Sequence, residues 1–212
     1  EIGIHIFLFL LPALALFIGV LIYPIFASVH HSLFEYRTFT DPGQFVGFKN
    51  YTDLFTPQYD FGKAIINALI LAALSVFIQL PLSLGLALML GKGIKGERVY
   101  LSVYFMPVLI SAVVIGMLWE KIYNPIYGLV TKTFEYFNWS GLPAAGLLGD
   151  KKTALLAVFI PTIWQYVGYH MLMMYAGVKS VSPDLREAAM LDGATDSQIN
   201  RYIIIPCIKP II

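Results

Sequence analysis

The sequence of 212 residues has few charged side chains, since Asp, Glu, Lys and Arg together make up only 13% of it. In soluble globular domains about a quarter of the residues are charged, so this scarcity argues against a soluble fold. The formal net charge of +1 leaves no overall excess of positive charge to attract nucleic acid. With 58% hydrophobic residues, the composition favours residence in a membrane.

Cysteine is almost absent as well, and Cys207 is the only one in the chain. One cysteine excludes a disulfide within the chain and any metal site built from cysteines alone. The histidines do not supply a metal site either, because the adjacent His30 and His31 point in different directions and neither has a carboxylate at ligand spacing. The hydrolase motifs G-x-S-x-G and H-E-x-x-H do not occur. We therefore predict no metal ion, no catalytic residue and no enzymatic activity.

One short motif resembles a nucleotide site, because residues 91–96 match G-x-G-x-x-G letter for letter. In a dinucleotide-binding domain this motif follows a strand and opens a helix, whereas here it follows a long apolar run. No complete Walker A sequence occurs. The sequence therefore predicts a flexible basic turn at this point and no nucleotide bound by the chain.

Four hydrophobic runs are long enough to cross a hydrocarbon core of about 30 Å, which needs about 20 helical residues. They extend over about residues 4–29, 64–90, 101–118 and 154–178, and a fifth run begins near residue 208. Each run is continuous and lacks the alternating pattern of a membrane barrel, so we expect helices. We expect the chain to be a segment of a longer protein, because it begins at Glu1 and stops inside the fifth run.

Ionisable side chains are missing from the cores of these four runs. Pumps and ion-coupled transporters usually keep such groups there as relays, at a cost of about 3 kcal/mol each. If this chain takes part in active transport, we therefore expect its energy to come from a partner. An ion-coupled secondary carrier stays an alternative, because further spans of a longer protein would have to supply the ionisable groups.

The basic residues of the loops predict how the runs are oriented. They gather in two loops, which contain Lys92, Lys95 and Arg98, and Lys179, Arg186 and Arg201. Short loops rich in Lys and Arg lie in the cytoplasm. The loops at residues 30–63 and 119–153 are longer and more thinly basic. We therefore predict that residues 92–98 and the loop after the fourth run share the cytoplasmic side.

A polar, helix-forming insert at residues 185–206 separates the fourth run from the fifth. Its sequence predicts two short helices with a turn between them. Ser182 is a typical N-cap for the first helix, and Pro183 suits its first helical position. Gly193 suits the left-handed conformation at which that helix would end.

The second predicted helix of the insert begins at Thr195. This residue and Gln198, three positions later, form the sequence signature of a capping box. We expect Pro206 to end the helix, because proline does not continue a regular helix.

The fourth run is unusually rich in aromatic and polar side chains for a membrane helix. Gln165, Gly168, Tyr169 and Leu172 are spaced by three and four residues, which places them on one helical face. Trp164 lies beside that face. Aromatic rings and an amide suit a neutral, hydroxyl-rich solute, but packing against a neighbouring helix explains the face about as well.

Neutral polar residues also occur in the second run, and they include Asn67, Ser75 and Gln79. For these three we expect only hydrogen bonds between helices, which is the usual role of such residues in membranes.

The insert resembles the EAA loop of binding-protein-dependent ABC importer permeases. The resemblance rests on Glu187-Ala-Ala, Asp192-Gly-Ala, Gln198 and Ile204-x-Pro206. Other motifs resemble the family in the same order along nearly the whole chain: Tyr23-Pro24, residues 45–51, Asn67, Lys95-Gly96-x-Arg98, Met106-Pro107, Ser111, Trp119, residues 125–128, Trp164 and Gly168-Tyr169. One departure is Ser182-Pro183, where the family often has Ile-Pro. The pattern is similar to the sugar-type group, which handles oligosaccharides and glycerol phosphate.

This resemblance implies an all-α, polytopic fold of the type I (MetI-like) importer permeases, with four complete spans and the start of a fifth. Residues 1–62 would form an N-terminal transmembrane helix with an extracytoplasmic loop. Residues 63–212 would form the permease core, with a coupling loop at residues 181–206. The implied function is import of a sugar or oligosaccharide across the cytoplasmic membrane of a bacterium or archaeon.

The resemblance also implies roles for particular residues. The residues that would couple the chain to an ATPase subunit are Glu187, Ala188, Ala189, Asp192 and Gly193. The residues that would contact the solute are Trp164, Gln165, Gly168, Tyr169 and Leu172. Glu187 would offer an anion to an arginine of the ATPase, the two alanines a smooth surface, and Gly193 a sharp turn.

The implied partners are a second permease subunit, cytoplasmic ATP-binding subunits that hold ATP and magnesium, an extracytoplasmic solute-binding protein and the lipid bilayer. The chain itself would bind no cofactor. A non-transporting membrane scaffold that binds a cytoplasmic protein through the same loop stays a second alternative.

Overall fold

The computed structural model describes residues 2–36, 38 and 42–212, and of residues 2–4 it describes the backbone alone. The predicted all-α fold is confirmed. Apart from helices, the described residues contain one short antiparallel pair of strands, β1 (Phe34–Glu35) and β2 (Gln44–Phe45). The chain divides into two compact units, Glu1–Ile66 and Asn67–Ile212. The roles assigned above to residues 1–62 and 63–212 stay a prediction.

A helix of membrane-spanning length begins the first unit. It consists of α1 (Ile2–Phe17), a π-helical segment (Ile18–Ile22) and α2 (Tyr23–His31). Residues His5–His31 are apolar enough to cross a membrane. The first predicted span is therefore confirmed, with its end slightly later than expected.

Asn50 and Tyr51 close the C-terminal end of α2. They belong to α3 (Lys49–Leu54), which follows the β-pair. The Asn50 side chain donates hydrogen bonds to the backbone carbonyls of Ser32 and Phe34, both at 2.9 Å. The Tyr51 hydroxyl lies 2.6 Å from the Ser32 hydroxyl. Carbonyls after a helix end have no partner within the helix, so these bonds satisfy groups that would otherwise need water.

Two further long helices continue the chain. α4 (Phe61–Leu74), a π-helical segment (Ser75–Gln79) and α5 (Leu80–Leu90) make one continuous helix that is apolar enough to span a membrane. α10 (Ala154–Ser180) makes another. The second and fourth predicted spans are thus confirmed.

The third predicted span, residues 101–118, is not one straight helix. It consists of α6 (Glu97–Phe105) with a 3₁₀ turn (Met106–Leu109), and α7 (Ala112–Ile122), which bends away by 97°. Ile110 between them is extended, with φ −83° and ψ 136°, and it follows the turn that contains Pro107. The described residues therefore contain three spans, or four if the bent pair is one broken span.

The remaining helices are short. They are α8 (Leu129–Tyr136), α9 (Gly146–Gly149), α11 (Pro183–Leu191), α12 (Asp196–Ile199) and α13 (Ile205–Ile208), with a 3₁₀ turn at Lys209–Ile211.

Three π-helical segments in the described residues each end two residues before a proline. They are Ile18–Ile22 before Pro24, Ser75–Gln79 before Pro81, and Asn200–Ile204 before Pro206. In a regular helix the proline ring presses on the carbonyl four residues earlier and removes one donor. In a π turn the hydrogen bond spans five residues, and the wider turn relieves this crowding. The prolines therefore widen these helices without ending them.

The packed core of the second unit lies between α5 and α10. Ala87, Leu90, Met171 and Met174 are almost fully buried there. At one edge of this core the Ser83 hydroxyl shares its proton between the Gln79 carbonyl of its own helix, at 2.9 Å, and the Val167 carbonyl of α10, at 3.0 Å. The second contact joins the two helices.

Within the part of the chain that the structure describes, Asn67, Ser75 and Gln79 make no side-chain hydrogen bond to another helix, so their expected interhelical bonds stay a prediction. The Ser75 hydroxyl donates to the Gln79 side chain within the same helix, at 3.2 Å. Asn67 is exposed and makes no side-chain hydrogen bond to the described residues. Spacing alone did not distinguish them from Ser83, because the choice depends on which face meets α10.

Candidate functional site

The insert after α10 folds as its capping residues predict at its first end. α11 begins at Pro183, and the Ser182 hydroxyl accepts a hydrogen bond from the Asp184 backbone N–H at 3.3 Å. This bond satisfies one of the donors that a helix start leaves free.

The end of α11 has the Schellman geometry. Gly193 has φ +79°, a left-handed conformation that glycine adopts without steric cost. The Gly193 N–H donates to the Met190 carbonyl at 3.0 Å, and the Ala194 N–H donates to the Ala189 carbonyl at 2.9 Å. These two bonds satisfy the last carbonyls and turn the chain sharply.

A complete capping box begins the second helix of the insert. The Gln198 side chain accepts from the Thr195 backbone N–H at 2.8 Å, and the Thr195 hydroxyl accepts from the Gln198 backbone N–H at 3.4 Å. The predicted end at Pro206 is wrong. α12 continues through the π turn into α13 and on towards Ile208, since the wide turn accommodates the proline.

The predicted coupling residues are not all turned the same way. Glu187, Ala188, Asp192 and Gly193 are exposed, and Glu187 forms no ion pair with any described residue. Ala189 is buried against Val178, Ile199 and Ile204 in the chain's own core. Glu187, Ala188 and the turn at residues 192–193 are therefore the parts of this set that are exposed to another protein.

The insert is tied to the basic turn that follows α5. Lys92 Nζ lies 2.6 Å from Asp196 Oδ2, which is on α12. The hydrogen bond and positive charge of Lys92 hold the pKa of the Asp196 carboxyl below its usual range. This contact confirms that the two basic loops lie on the same side of the membrane helices. The Arg186 guanidinium adds a bond of 3.4 Å to the Val178 carbonyl at the end of α10.

A cavity of about 290 Å³ lies at the other end of α10, between this helix and α7. Gln165 is the only one of the predicted solute-contacting residues that lines it. The other polar or aromatic lining residues are Trp119, Glu120, Tyr123 and Thr162. The Trp164 ring packs edge-on against the ring of Trp119, with 6.0 Å between the ring centres. Trp164 therefore contacts a lining residue of the cavity without lining the cavity itself.

Two buried polar groups of this cavity have no hydrogen-bond partner among the described residues. They are the Trp119 indole N–H and the Tyr123 hydroxyl. Tyr123 is only 5% exposed. A buried donor without a partner costs about 1–3 kcal/mol. Both atoms have almost no accessible area, so they lie enclosed within the cavity wall, whereas other atoms of these residues and of Gln165 line its space.

The rest of the predicted solute face serves other contacts. A Cβ atom on Gly168 would come within 1.8 Å of the Tyr104 carbonyl, so this glycine permits α10 to pack directly on α6. Leu172 is half-buried, and Tyr169 is 42% exposed and touches His170 edge-on. The face that helical spacing predicted is divided between packing, cavity and surface.

Sequence reasoning missed Trp119, Tyr123 and Thr162 as cavity residues. The family resemblance included Trp119 but assigned it no contact with the solute. The available signal was the spacing of four residues between Trp119 on α7 and Tyr123 directly after it, because this spacing places both rings on one helical face.

The comparisons with known proteins agree with one another. Residues 79–212 match the family model described as "Binding-protein-dependent transport system inner membrane component". The Bacillus subtilis protein named "Probable ABC transporter permease protein YurN" is 37% identical over 205 residues, which are 96% of this chain and 69% of that protein. The diacetylchitobiose uptake system permease protein NgcF of Streptomyces coelicolor is 30% identical, over 95% of this chain and 59% of that protein.

Solved structures are similar over the same extent. One is the crystal structure of a bacterial ABC transporter involved in the import of the acidic polysaccharide alginate, with a TM-score of 0.81 and 26% identity. The match covers 97% of this chain and 68% of that one. The same kind of transporter, in complex with an alginate pentasaccharide-bound periplasmic protein, matches with a TM-score of 0.82 and 25% identity.

Proposed function

The chain belongs to the family of binding-protein-dependent transport system inner membrane components, and from this premise we propose that it is a permease subunit of a sugar importer. It lies as a multi-pass protein in the cytoplasmic membrane of a bacterium or archaeon. It moves a sugar or oligosaccharide inward, and a separate subunit hydrolyses the ATP. The chain itself catalyses no reaction and binds no cofactor.

The observation that carries this proposal is the capped helix–turn–helix after α10. Its two helices are fixed by Ser182, the Schellman turn and the capping box, so the loop keeps its shape without a partner. Glu187 stands exposed on the first helix with no ion pair to the described residues. A rigid loop with a free anion suits a cationic recess on an ATPase subunit.

The partners follow from the same proposal. The ATP-binding subunits contact Glu187, Ala188, Asp192 and Gly193, with Ala189 holding the helix to the core. A second permease subunit and lipid cover the membrane helices, whose side chains are largely exposed in this chain alone. An extracytoplasmic solute-binding protein delivers the solute, as the periplasmic protein of the alginate transporter suggests by analogy.

The cavity between α7 and α10 supports the choice of a hydroxyl-rich solute. Its lining includes the aromatic residues Trp119 and Tyr123 and the amide residue Gln165. Sugars present hydroxyl groups for such donors and acceptors and flat faces for rings. The charged residue of the lining is the acid Glu120, which favours a neutral solute over glycerol phosphate at this chain's own surface.

Uptake by the full-length protein in proteoliposomes, with its ATPase subunits and binding protein, tests the proposal. We expect labelled oligosaccharide to enter the liposomes only when ATP is enclosed on the same side as the ATPase subunits. A proton or sodium gradient alone should give no uptake. Gradient-driven uptake without ATP would support the ion-coupled carrier instead. No uptake of any solute, with the ATPase still bound, would support the scaffold.

Two substitutions in the loop sharpen this test. Glu187→Lys reverses the charge that faces the ATPase, and Gly193→Pro removes the N–H bonded to Met190 and forbids φ +79°. Each should abolish ATP-driven uptake while the protein still inserts in the membrane. Glu187→Gln is the matched control, because glutamine has the size of glutamate without its charge. This variant should retain part of the uptake. Normal transport by the Gly193→Pro protein would contradict the coupling role.

A further inference from the structure

The basic turn between α5 and α6 lies directly against the end of α10. A Cβ atom on Gly91 would come within 2.5 Å of the Val178 side chain, so the main chain of the turn rests on that helix. From the far side of the turn, Glu97 accepts hydrogen bonds from the Tyr175 hydroxyl and from Lys179, both on α10. The turn is thus held to α10 by packing and by an anion.

The same turn reaches the coupling insert through a cation. Lys92 pairs with Asp196 of α12 at 2.6 Å, whereas Lys95 in the same turn forms no ion pair with the described residues. The turn therefore connects α10 at one end and the insert at the other, through charges of opposite sign. Asp196 is also the first residue of α12, the helix that Thr195 caps.

The Lys92–Asp196 pair contributes little to the stability of the fold. The two side chains are 46% and 63% exposed, so water and salt screen the attraction between them. The importance of this pair and of the Glu97–Lys179 pair lies in position, because they connect elements that are far apart in sequence, between residues 92 and 196 and between residues 97 and 179.

We infer that Lys92 and Asp196 are positioning residues of transport, which make the basic turn and the coupling insert move as one rigid body with the end of α10. The inference rests on the proposed function, in which the insert receives the movement of an ATPase subunit. A movement at Glu187 then reaches α10 both through the chain after residue 180 and through the turn that holds its end. The ion pair favours the joined arrangement, and without it the insert would yield locally more often, so that more ATP would be hydrolysed without transport.

Charge reversal in proteoliposomes tests the inference. In the reconstituted complex, Lys92→Glu and Asp196→Lys should each raise the ATP hydrolysed per solute imported severalfold, with the ATPase subunits still co-purifying. The double variant K92E/D196K should restore the ratio towards that of the unmodified complex. Lys95→Glu makes the same charge change in the same turn and should leave the ratio unchanged. An equal effect of Lys92→Glu and Lys95→Glu, or no recovery in the double variant, would overturn the inference.

A cross-link gives a second, independent measurement. In a Cys207→Ser background, a short bifunctional methanethiosulfonate reagent should cross-link Lys92→Cys with Asp196→Cys in membranes, because its spacer replaces the length of the lysine side chain. The cross-linked complex should transport at a rate similar to the reduced one. Loss of transport on cross-linking, regained on reduction, would show that the two positions must separate and would overturn the inference. If the unmodified complex shows no ATP-driven uptake, the proposed function fails, while cross-linking still measures whether the turn and the insert are joined.

Discussion

The two ends of α10 differ in how their side chains are used. From Met171 onward its buried face is filled: Met174, Gly177 and Val178 pack against α5, the basic turn and α13. Around Gln165 the same helix borders a cavity with two unpartnered polar groups. The helix is thus close-packed at one end and borders an open space at the other, and the proposed function assigns transmission of movement to the first end and contact with the solute to the second.

The largest effect that tests this contrast should come from Gly168, which lies between the two ends. Gly168→Ala places a methyl group on the Tyr104 carbonyl, where a Cβ atom has only 1.8 Å. Overpacking of a core typically destabilises by about 1–3 kcal/mol, and here the obstacle is a backbone atom that cannot rotate away. We expect a marked fall in the yield and melting temperature of the detergent-purified protein.

Gly116→Ala is the matched control for Gly168→Ala, since a Cβ atom on Gly116 meets nothing within 4 Å. It should fold and melt like the unmodified protein. If Gly168→Ala behaved in the same way, α6 and α10 would not be in contact at this position. The face of α10 that carries Gly168 would then again be a candidate for solute binding.

A smaller effect should come from the cavity end, where Gln165→Ala removes an amide. Loss of one neutral hydrogen bond costs about 1 kcal/mol, which corresponds to about fivefold in affinity. We expect weaker apparent affinity for the solute in uptake assays, with assembly of the complex intact. Tyr169→Ala should have less effect than Gln165→Ala, because Tyr169 lies outside the cavity lining. The reverse order would place the solute on the exposed face of α10.

Tyr123→Phe is the companion measurement for the same end. It removes a buried hydroxyl that has no partner among the described residues, so the empty protein should become no less stable. If the hydroxyl binds the solute, affinity should fall while the melting temperature stays equal or rises. A drop in both would mean that the hydroxyl serves the fold alone.

The smallest effect should come from Ser83, which joins α5 and α10 between the two ends. Its hydroxyl donates to the Val167 carbonyl at 3.0 Å. Hydrogen bonds between membrane helices average about 0.6 kcal/mol. Ser83→Ala should therefore lower the melting temperature slightly and leave solute affinity unchanged. A change in affinity without a change in stability would mean that the filled end and the cavity are energetically coupled through this bond.

The insert could be predicted from sequence because its structure is local. Ser182, Gly193 and the Thr195–Gln198 pair act on backbone groups within five residues of themselves. The four hydrophobic runs were predictable for a similar reason, since length and composition alone decide whether a helix can span a membrane.

The cavity and the bend could not be predicted in this way. The cavity exists only where α7 meets α10. The spacing of Trp119 and Tyr123 indicates that they share a helical face, but it does not indicate that this face meets α10. The 97° bend interrupts a run that is continuously apolar in sequence. Hydrophobic composition did not predict this bend, because it does not indicate that the backbone of Ile110 is extended. Gly168 was predicted to contact the solute, whereas it packs against α6. Helical spacing gives the same face in both cases, so it does not distinguish solute binding from helix packing.

The π turns before Pro24, Pro81 and Pro206 have a consequence for the phase of these helices. One residue of an α-helix corresponds to about 100° of rotation, and a π turn takes up an additional residue. Side chains before and after residues 75–79 are therefore offset by more than a quarter turn from a regular helical wheel. In the long helix from Phe61 to Leu90, Asn67 and Ser83 would be about 160° apart on a regular helical wheel, and the additional residue of the π turn reduces this to about 60°. A regular wheel therefore does not predict which residues before the π turn share the face of Ser83.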